Sequence, residues 1–366
     1  MRGPKCLLTG AIFAALALPG FAQPSPDSSA KVWSVGPIDF SGLVDGYYSL
    51  NFNHPASRIN QLRNFDVQAN QFGLNMLKLV MEHPADPVGF RVDLGFGKAF
   101  DIVNGGEASP TAVRNIEQAY VSYKPAGARG LQLDFGKHVT GAGAEVIETY
   151  RNWNYSRSLL FTWAIPYYHM GLRTSMPVGS HFTAGFHLVN GWNNVEDNNS
   201  GKTIGLSGAA TAGPLTWSNM YYAGPEKAGT NAGWRHLYDT ALVVDRPKSS
   251  FYFNFDYGID RDPGARGNVW YGYAGAARFA LTDHVALAPR LEWFNDRDGF
   301  STGTPQKLKE FTLTGEYKMA EGLLTRLEYR RDWSDQPFFQ RGVTPGATTS
   351  QDTLLAGIVA YFGPKR

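Results

Sequence analysis

Along residues 38–52 the side chains alternate in character. Ile38, Phe40, Gly42, Val44, Gly46, Tyr48, Leu50 and Phe52 share one parity, and Asp39, Ser41, Asp45, Ser49 and Asn51 share the other. Successive side chains of a strand point to opposite faces, so the pattern predicts a strand with one apolar and one polar face. Residues 88–96 repeat it, with Val88, Phe90, Val92, Leu94 and Phe96 set against Gly89, Arg91, Asp93 and Gly95. So do 131–135, 251–259 and 269–281. Sixteen candidate strands emerge, at 38–53, 65–82, 88–98, 116–124, 130–139, 167–177, 180–190, 202–211, 214–223, 235–246, 249–259, 268–281, 284–295, 309–319, 323–333 and 351–362. Those at 65–82, 214–223 and 235–246 alternate poorly.

The connections alternate short and long. The short ones, at 83–87, 125–129, 178–179, 212–213, 247–248, 282–283 and 320–322, carry the Pro, Gly and Asp of tight turns. The long ones are 54–64, 99–115, 140–166, 191–201, 224–234, 260–267, 296–308 and 334–350. Short turns on one side and long loops on the other are the signature of an all-β, antiparallel up-and-down barrel crossing an outer membrane. In lipid every backbone N–H and C=O needs a partner within the protein, which requires the sheet to close. Aromatic residues near strand ends suit girdles at the two interfaces: Tyr47, Tyr48, Trp163, Tyr167, Tyr168, Trp192, Tyr221, Tyr222, Trp234, Trp270, Trp293 and Trp333.

If the apolar parity faces lipid, the polar parity lines a lumen. The expected lining includes Arg91, Asp93, Asp134, Arg173, Arg278, Arg290, Glu292, Arg326, Glu328 and Arg330. A barrel of this size is wide enough for an aqueous channel, although charges of both signs can also pair and brace the wall. Loop 140–166 is the third long one and is crowded with Arg, Glu, Trp and Tyr. By analogy with general porins it is expected to fold inward. Glu145, Glu148, Arg151 and Arg157 would then face one another across a constriction, with Trp153, Tyr155, Leu159, Leu160 and Trp163 packing the loop on the wall. An external loop with its aromatics at the membrane surface is the alternative.

Composition narrows the field. Residues 1–22 have a basic start (Arg2, Lys5), an apolar stretch from Cys6 to Leu18 and small residues before a cleavage point after Ala22. This is expected to be a secretory signal, followed by a Pro/Ser-rich lead-in at 23–36 and a barrel domain at 37–363. Cys6 is the single cysteine, so the exported chain would use no disulfide. Without Arg2 and Lys5, the remaining basic residues of the chain's 34 equal its 32 acidic ones, which argues against nucleic acid as a partner.

Catalytic and cofactor signatures fail. Gly201-Lys202-Thr203 ends like a phosphate loop, but Glu196 stands where its first glycine belongs. Read from Asp197, a calcium loop would need its bidentate Glu at Gly208. No G-x-S-x-G elbow occurs, and the eight histidines look scattered. Were the chain a hydrolase, His138 or His169 would be the base and Ser156 or Ser158 the nucleophile.

Several segments together resemble one family. Asn60–Asp66 (NQLRNFD), Asn70–Asn75 (NQFGLN), Asp86–Gly97 (DPVGFRVDLGFG), Asn152–Ser158 (NWNYSRS), Ile165–Gly171 (IPYYHMG), Asn190–Asn194 (NGWNN) and Asp197–Thr203 (DNNSGKT) are similar to the OmpL-like β-barrel porins, the porin-2 group. The resemblance runs through 37–363. It implies an outer-membrane barrel with pore activity, and it brings no substrate, cofactor or catalytic residue. The expectation is therefore a bacterial porin, exported by the Sec route, passing small hydrophilic solutes and requiring neither metal nor cofactor. Its partners would be outer-membrane lipid and those solutes, and a homo-oligomer stays open. A plugged barrel acting in ligand binding or adhesion is the second reading, and an outer-membrane hydrolase the third.

Overall fold

The computed structural model describes residues 33–107 and 112–364; the expected signal at 1–22 lies outside them. Among the described residues the chain forms one closed antiparallel barrel of sixteen long strands. They are β1 (Ile38–Asn51), β2 (Gln71–His83), β3 (Val88–Phe96), β4 (Ile116–Tyr123), β5 (Gln132–Val139), β6 (Tyr168–Val178), β7 (Phe182–Val189) and β8 (Thr203–Ala212). The second half comprises β9 (Leu215–Gly224), β10 (Arg235–Val244), β11 (Ser249–Asp260), β12 (Asn268–Ala280), β13 (Val285–Asp296), β14 (Gln306–Ala320), β15 (Leu323–Ser334) and β16 (Ser350–Phe362). Each strand pairs with its sequence neighbours. β16 closes onto β1 from Thr353↔Asn51 to Phe362↔Gly42. Phe362, despite the polar tail after it, packs its ring 4.8 Å from that of Trp33.

The two parities separate as the alternation requires. Val44 is 49 % exposed while its neighbours Leu43 and Asp45 are buried. Phe72, Phe135, Leu206, Leu291 and Leu327 form part of a broad exposed apolar exterior. That is the surface lipid demands, and no described helix is long and apolar enough to cross a membrane. The short turns follow their chemistry. Gly213, at φ +56°, and Pro214 join β8 to β9 with Ala212 facing Leu215.

Two sequence expectations are corrected. β2 begins at Gln71, not 65, because 65–70 belong to the first loop, whose Arg63 donates to Asp332 on β15 and whose Gln61 N–H donates to Gln351 on β16. A bulge opposite Asp45/Gly46 turns both Asn75 and Met76 inward, which is why alternation fails there. Of the aromatic residues assigned to girdles, Tyr47, Tyr167, Tyr168, Tyr222 and Trp270 are instead buried. Tyr221 and Trp234 remain exposed. A tyrosine near a strand end has the same sequence signal whether it faces lipid or lumen.

The long loops carry structure of their own. The second contains helix α1 (Lys98–Val103), and the third contains a 3-10 turn (Thr149–Arg151) and helix α2 (Leu159–Trp163). The last holds a small hairpin, Phe339–Arg341 with Thr344–Thr348.

Candidate functional site

The third loop enters the barrel and is bound to its wall along most of its length. It begins where β5 ends and returns to β6. Its backbone lacks a ladder, so its N–H and C=O groups need partners elsewhere. The wall supplies them. Glu328 on β15 accepts from Tyr155 N at 2.6 Å and Ser156 N at 3.0 Å. Arg326, two residues earlier on the same inward face, donates to the carbonyls of Thr149 at 2.7 Å and Asn154 at 3.1 Å, and also to that of Asn152. Arg330 donates to the Arg157 carbonyl at 2.5 Å. Arg290 on β13 donates to the Ser156 carbonyl at 2.8 Å and to Glu145 at 2.7 Å.

The anchorage extends around the barrel. Asn254 on β11 accepts from Ala144 N at 3.2 Å. Tyr155 donates to Asp45 on β1 at 2.5 Å, and the Thr149 hydroxyl bonds the same carboxylate. Tyr155 fits against β16 because residue 357 is glycine: a Cβ there would lie 2.4 Å from the tyrosine ring. Lys78 on β2 pairs with Glu148. Helix α2 starts at Ser158, whose hydroxyl accepts from Phe161 N at 2.9 Å. It packs Leu159, Leu160 and Phe161 into the interior, and Trp163 donates to the Leu62 carbonyl of the first loop at 3.2 Å.

The four charges expected at the constriction have different fates. Glu145 is buried, with Arg290 and the Ser158 N–H (2.6 Å) on its carboxylate. Arg157 does not face open lumen. It is 1 % exposed and clasps its own loop, donating to the carbonyls of Val146 at 2.9 Å, Tyr155 at 2.5 Å and Ile147. Its sequence position gave its charge but not its direction. Glu148 and Arg151 keep partial exposure, as do Val146 and Tyr150. Arg91 belongs to the same network, since its partner Asp93 shares the Lys78 ammonium with Glu148. Burial alone would raise the Glu148 carboxyl, but Lys78 and Arg151 override it and hold the group down at about 2.

The wall charges are paired. Arg91 bonds Asp93 at 2.8 Å, Arg173 bonds Asp134 at 2.9 Å, and Arg278 bonds Glu316 at 2.8 Å. Arg290 meets Glu310 at 3.2 Å and Glu292 at 3.3 Å, Arg326 meets Glu316 at 2.7 Å, and Arg330 meets Asp332 at 2.8 Å. Glu292 also faces Leu160 N at 3.3 Å. Arg91, Arg278 and Glu316 remain partly exposed, while the others are sealed beneath the loop or against one another. Asp93, Glu117 and Glu148 converge as three carboxylates, but the Lys78 ammonium sits among them, 2.8 Å from Asp93 and 2.6 Å from Glu117. A cation is already provided there by the chain itself.

Sequence reasoning missed Lys78 and Asp45 as loop anchors. The signal for Lys78 was a single cation between Leu77 and Leu79 in a strand. The serines considered as nucleophiles are structural: Ser156 accepts from Arg290 and Arg330, both at 3.2 Å, and Ser158 caps α2.

A closed barrel with an apolar belt, charged inner wall and an inwardly anchored third loop defines the porin class of outer-membrane channels. Solved outer-membrane proteins share this architecture. The anion-selective porin from Comamonas acidovorans aligns at TM-score 0.61 and 13% identity, over 89% of this chain and 99% of that one. OmpT of Vibrio cholerae in a trimer form aligns at 0.59 and 13%, over 90% and 100%. The outer-membrane channel DcaP of Acinetobacter baumannii aligns at 0.58 and 12%, over 89% and 96%. No curated protein matches. The chain belongs to the family described as "Putative beta-barrel porin-2, OmpL-like", whose model matches residues 37–362. It is a porin channel of the bacterial outer membrane.

Proposed function

We propose that this porin passes small hydrophilic solutes by passive diffusion, through the space that loop 140–166 leaves open beside the wall. The observation that carries the reading is the asymmetry of the loop. Ser156, Arg157 and Glu145 are sealed against the structure, whereas Glu148, Tyr150 and Arg151 retain solvent contact, and Glu148 is joined through Lys78 and Asp93 to Arg91. Glu148, Arg151 and Arg91 form a narrowing of mixed charge, which favours small polar solutes of either sign over apolar ones. Glu145 and Arg157 serve as its supports rather than its lining. The barrel sits in outer-membrane lipid after Sec-type export and removal of 1–22, and assembly as a homo-oligomer is consistent with the trimer form of the OmpT neighbour.

The test is single-channel conductance of the protein in planar bilayers, wild type against a variant carrying both Glu148→Gln and Arg151→Gln. Steady conductance with altered ion selectivity in the variant is expected. Conductance indifferent to both changes removes these two residues from the narrowing. A correctly folded barrel without conductance overturns diffusion in favour of a plugged binding barrel.

A further inference from the structure

Three histidines meet on the inner wall, away from the loop's anchor points. His138 on β5 is register-paired with His169 on β6, and His187 lies on β7. The His138 ring centre is 6.0 Å from that of His169 and 5.9 Å from that of His187. Tyr222 from β9 closes the group, 4.5 Å from the His169 ring and with its hydroxyl 3.3 Å from His187 Nδ1. Their sequence spacing concealed this, because only cross-strand register brings them together.

The hydrogen bonds fix what two of these rings offer. His169 Nδ1 lies 2.9 Å from the Gly191 carbonyl, and His138 Nδ1 lies 3.3 Å from the Val139 carbonyl. A carbonyl accepts only, so each Nδ1 carries the proton and each Nε2 presents a lone pair. Both Nε2 atoms are buried and have no hydrogen-bond partner among the described residues. A buried acceptor without a partner costs stability unless something meets it. An imidazole whose Nδ1–H is held by a backbone carbonyl while its Nε2 stays free is oriented as metal-ligating histidines are.

From these contacts we propose that His138, His169 and His187 bind a divalent transition ion of the class that takes imidazole nitrogen, with Zn²⁺ as its representative. Three imidazoles at Zn–N distances of about 2.0–2.1 Å in tetrahedral array place their ring centres roughly 5 Å apart, so binding draws the His169 and His187 rings in from the 6.0 Å and 5.9 Å at which they stand from His138 and turns the three ligating nitrogens toward one point. The nearby Arg173 cation is neutralised by Asp134 at 2.9 Å, which lessens its repulsion of a metal. His187, 5 % exposed, is the side from which an ion enters, since His138 and His169 are sealed. The Tyr222 hydroxyl beside His187 is placed to orient that ring. The site is independent of the diffusion reading.

The experiment uses untagged protein extracted in detergent, stripped with chelator and titrated with Zn²⁺ by calorimetry. One Zn²⁺ per chain is expected, with affinity reduced at least tenfold by His169→Gln or His187→Gln and unchanged by His54→Ala in the first loop. Because a wall variant can fail to fold, X-ray absorption at the zinc edge of the wild-type complex supplies a second readout, with three imidazole ligands expected. No stoichiometric Zn²⁺, an unaltered affinity in folded His169→Gln and His187→Gln, or fewer than two imidazoles at the metal overturns the proposal.

Discussion

The Arg290 guanidinium meets the Glu145 carboxylate at 2.7 Å, joining β13 to the loop that crosses the lumen. Both groups are buried. Arg290 already faces Glu292 and Glu310 on its own wall, so the loop adds a third carboxylate while Arg330 adds a second cation. Tyr252 donates to the same Glu145 oxygen at 3.2 Å. The loop is held by charge as well as by hydrogen bonds.

Glu145→Gln is expected to destabilise the barrel by about 3 kcal/mol, the low end for breaking a buried pair, because Arg290 retains its two wall carboxylates. Urea unfolding in detergent micelles measures this. A loss well under about 1 kcal/mol, the range of an exposed pair, would mean that the bridge contributes little.

Glu328 makes a different anchor, a carboxylate capping two consecutive N–H groups of the loop, with the Thr314 hydroxyl as a third donor at 2.7 Å. Glu328→Ala leaves those donors buried and unmet, at a cost of about 1–3 kcal/mol each. The local consequence is a loosened loop. Limited proteolysis should cut within 140–166 in the variant and not in wild type, and single-channel records should become noisier. Equal protease resistance would show that the arginine contacts alone hold the loop.

Much of the architecture was legible because a membrane barrel imposes a two-residue period on every strand. Val44 and Asp45 show it: their opposite characters announced opposite faces, and the structure gives one to the exterior and buries the other. The period failed where a bulge made Asn75 and Met76 neighbours on one face. The direction of loop side chains had no such code. Glu148 and Arg157 are both charged positions of one loop, but one keeps solvent contact and the other clasps backbone carbonyls, which depends on a fold with no period. The histidine cluster was hidden for a related reason. His138, His169 and His187 belong to three strands, and the register that unites them is a property of the closed sheet.

Gly357 marks the closest approach of loop to wall. An alanine Cβ there would sit 2.4 Å from the Tyr155 ring, which must then leave the wall and give up its 2.5 Å bond to Asp45. Gly357→Ala is expected to cost about 1–3 kcal/mol as an overpacking change. Combining it with Tyr155→Leu should recover part of that loss, since the second change removes the ring that clashes. A double-mutant cycle with zero coupling would place the effect of Gly357 in its backbone freedom instead.

Acid should release one end of the loop before it unfolds the barrel. The Glu148 carboxyl ionises at about 2 in the folded protein against an ordinary value of 4.5, because Lys78 and Arg151 outweigh the burial that opposes them. A depressed carboxyl binds protons less readily in the folded state than in the unfolded one, so its contribution is fully present above the unfolded value and declines as pH falls toward the folded one. Lys78 keeps Asp93 and Glu117 within ion-pair distance, so protonation of Glu148 frees the loop rather than stranding the lysine. Wild-type stability should therefore fall between about pH 5 and about pH 2, and Glu148→Gln should lower stability at neutral pH while flattening that slope. Thermal unfolding across the range measures both quantities, with the conductance of each protein recorded in parallel. An identical slope in the two proteins would show that the acid response originates in other carboxylates and that the Lys78–Glu148 tie does not set it.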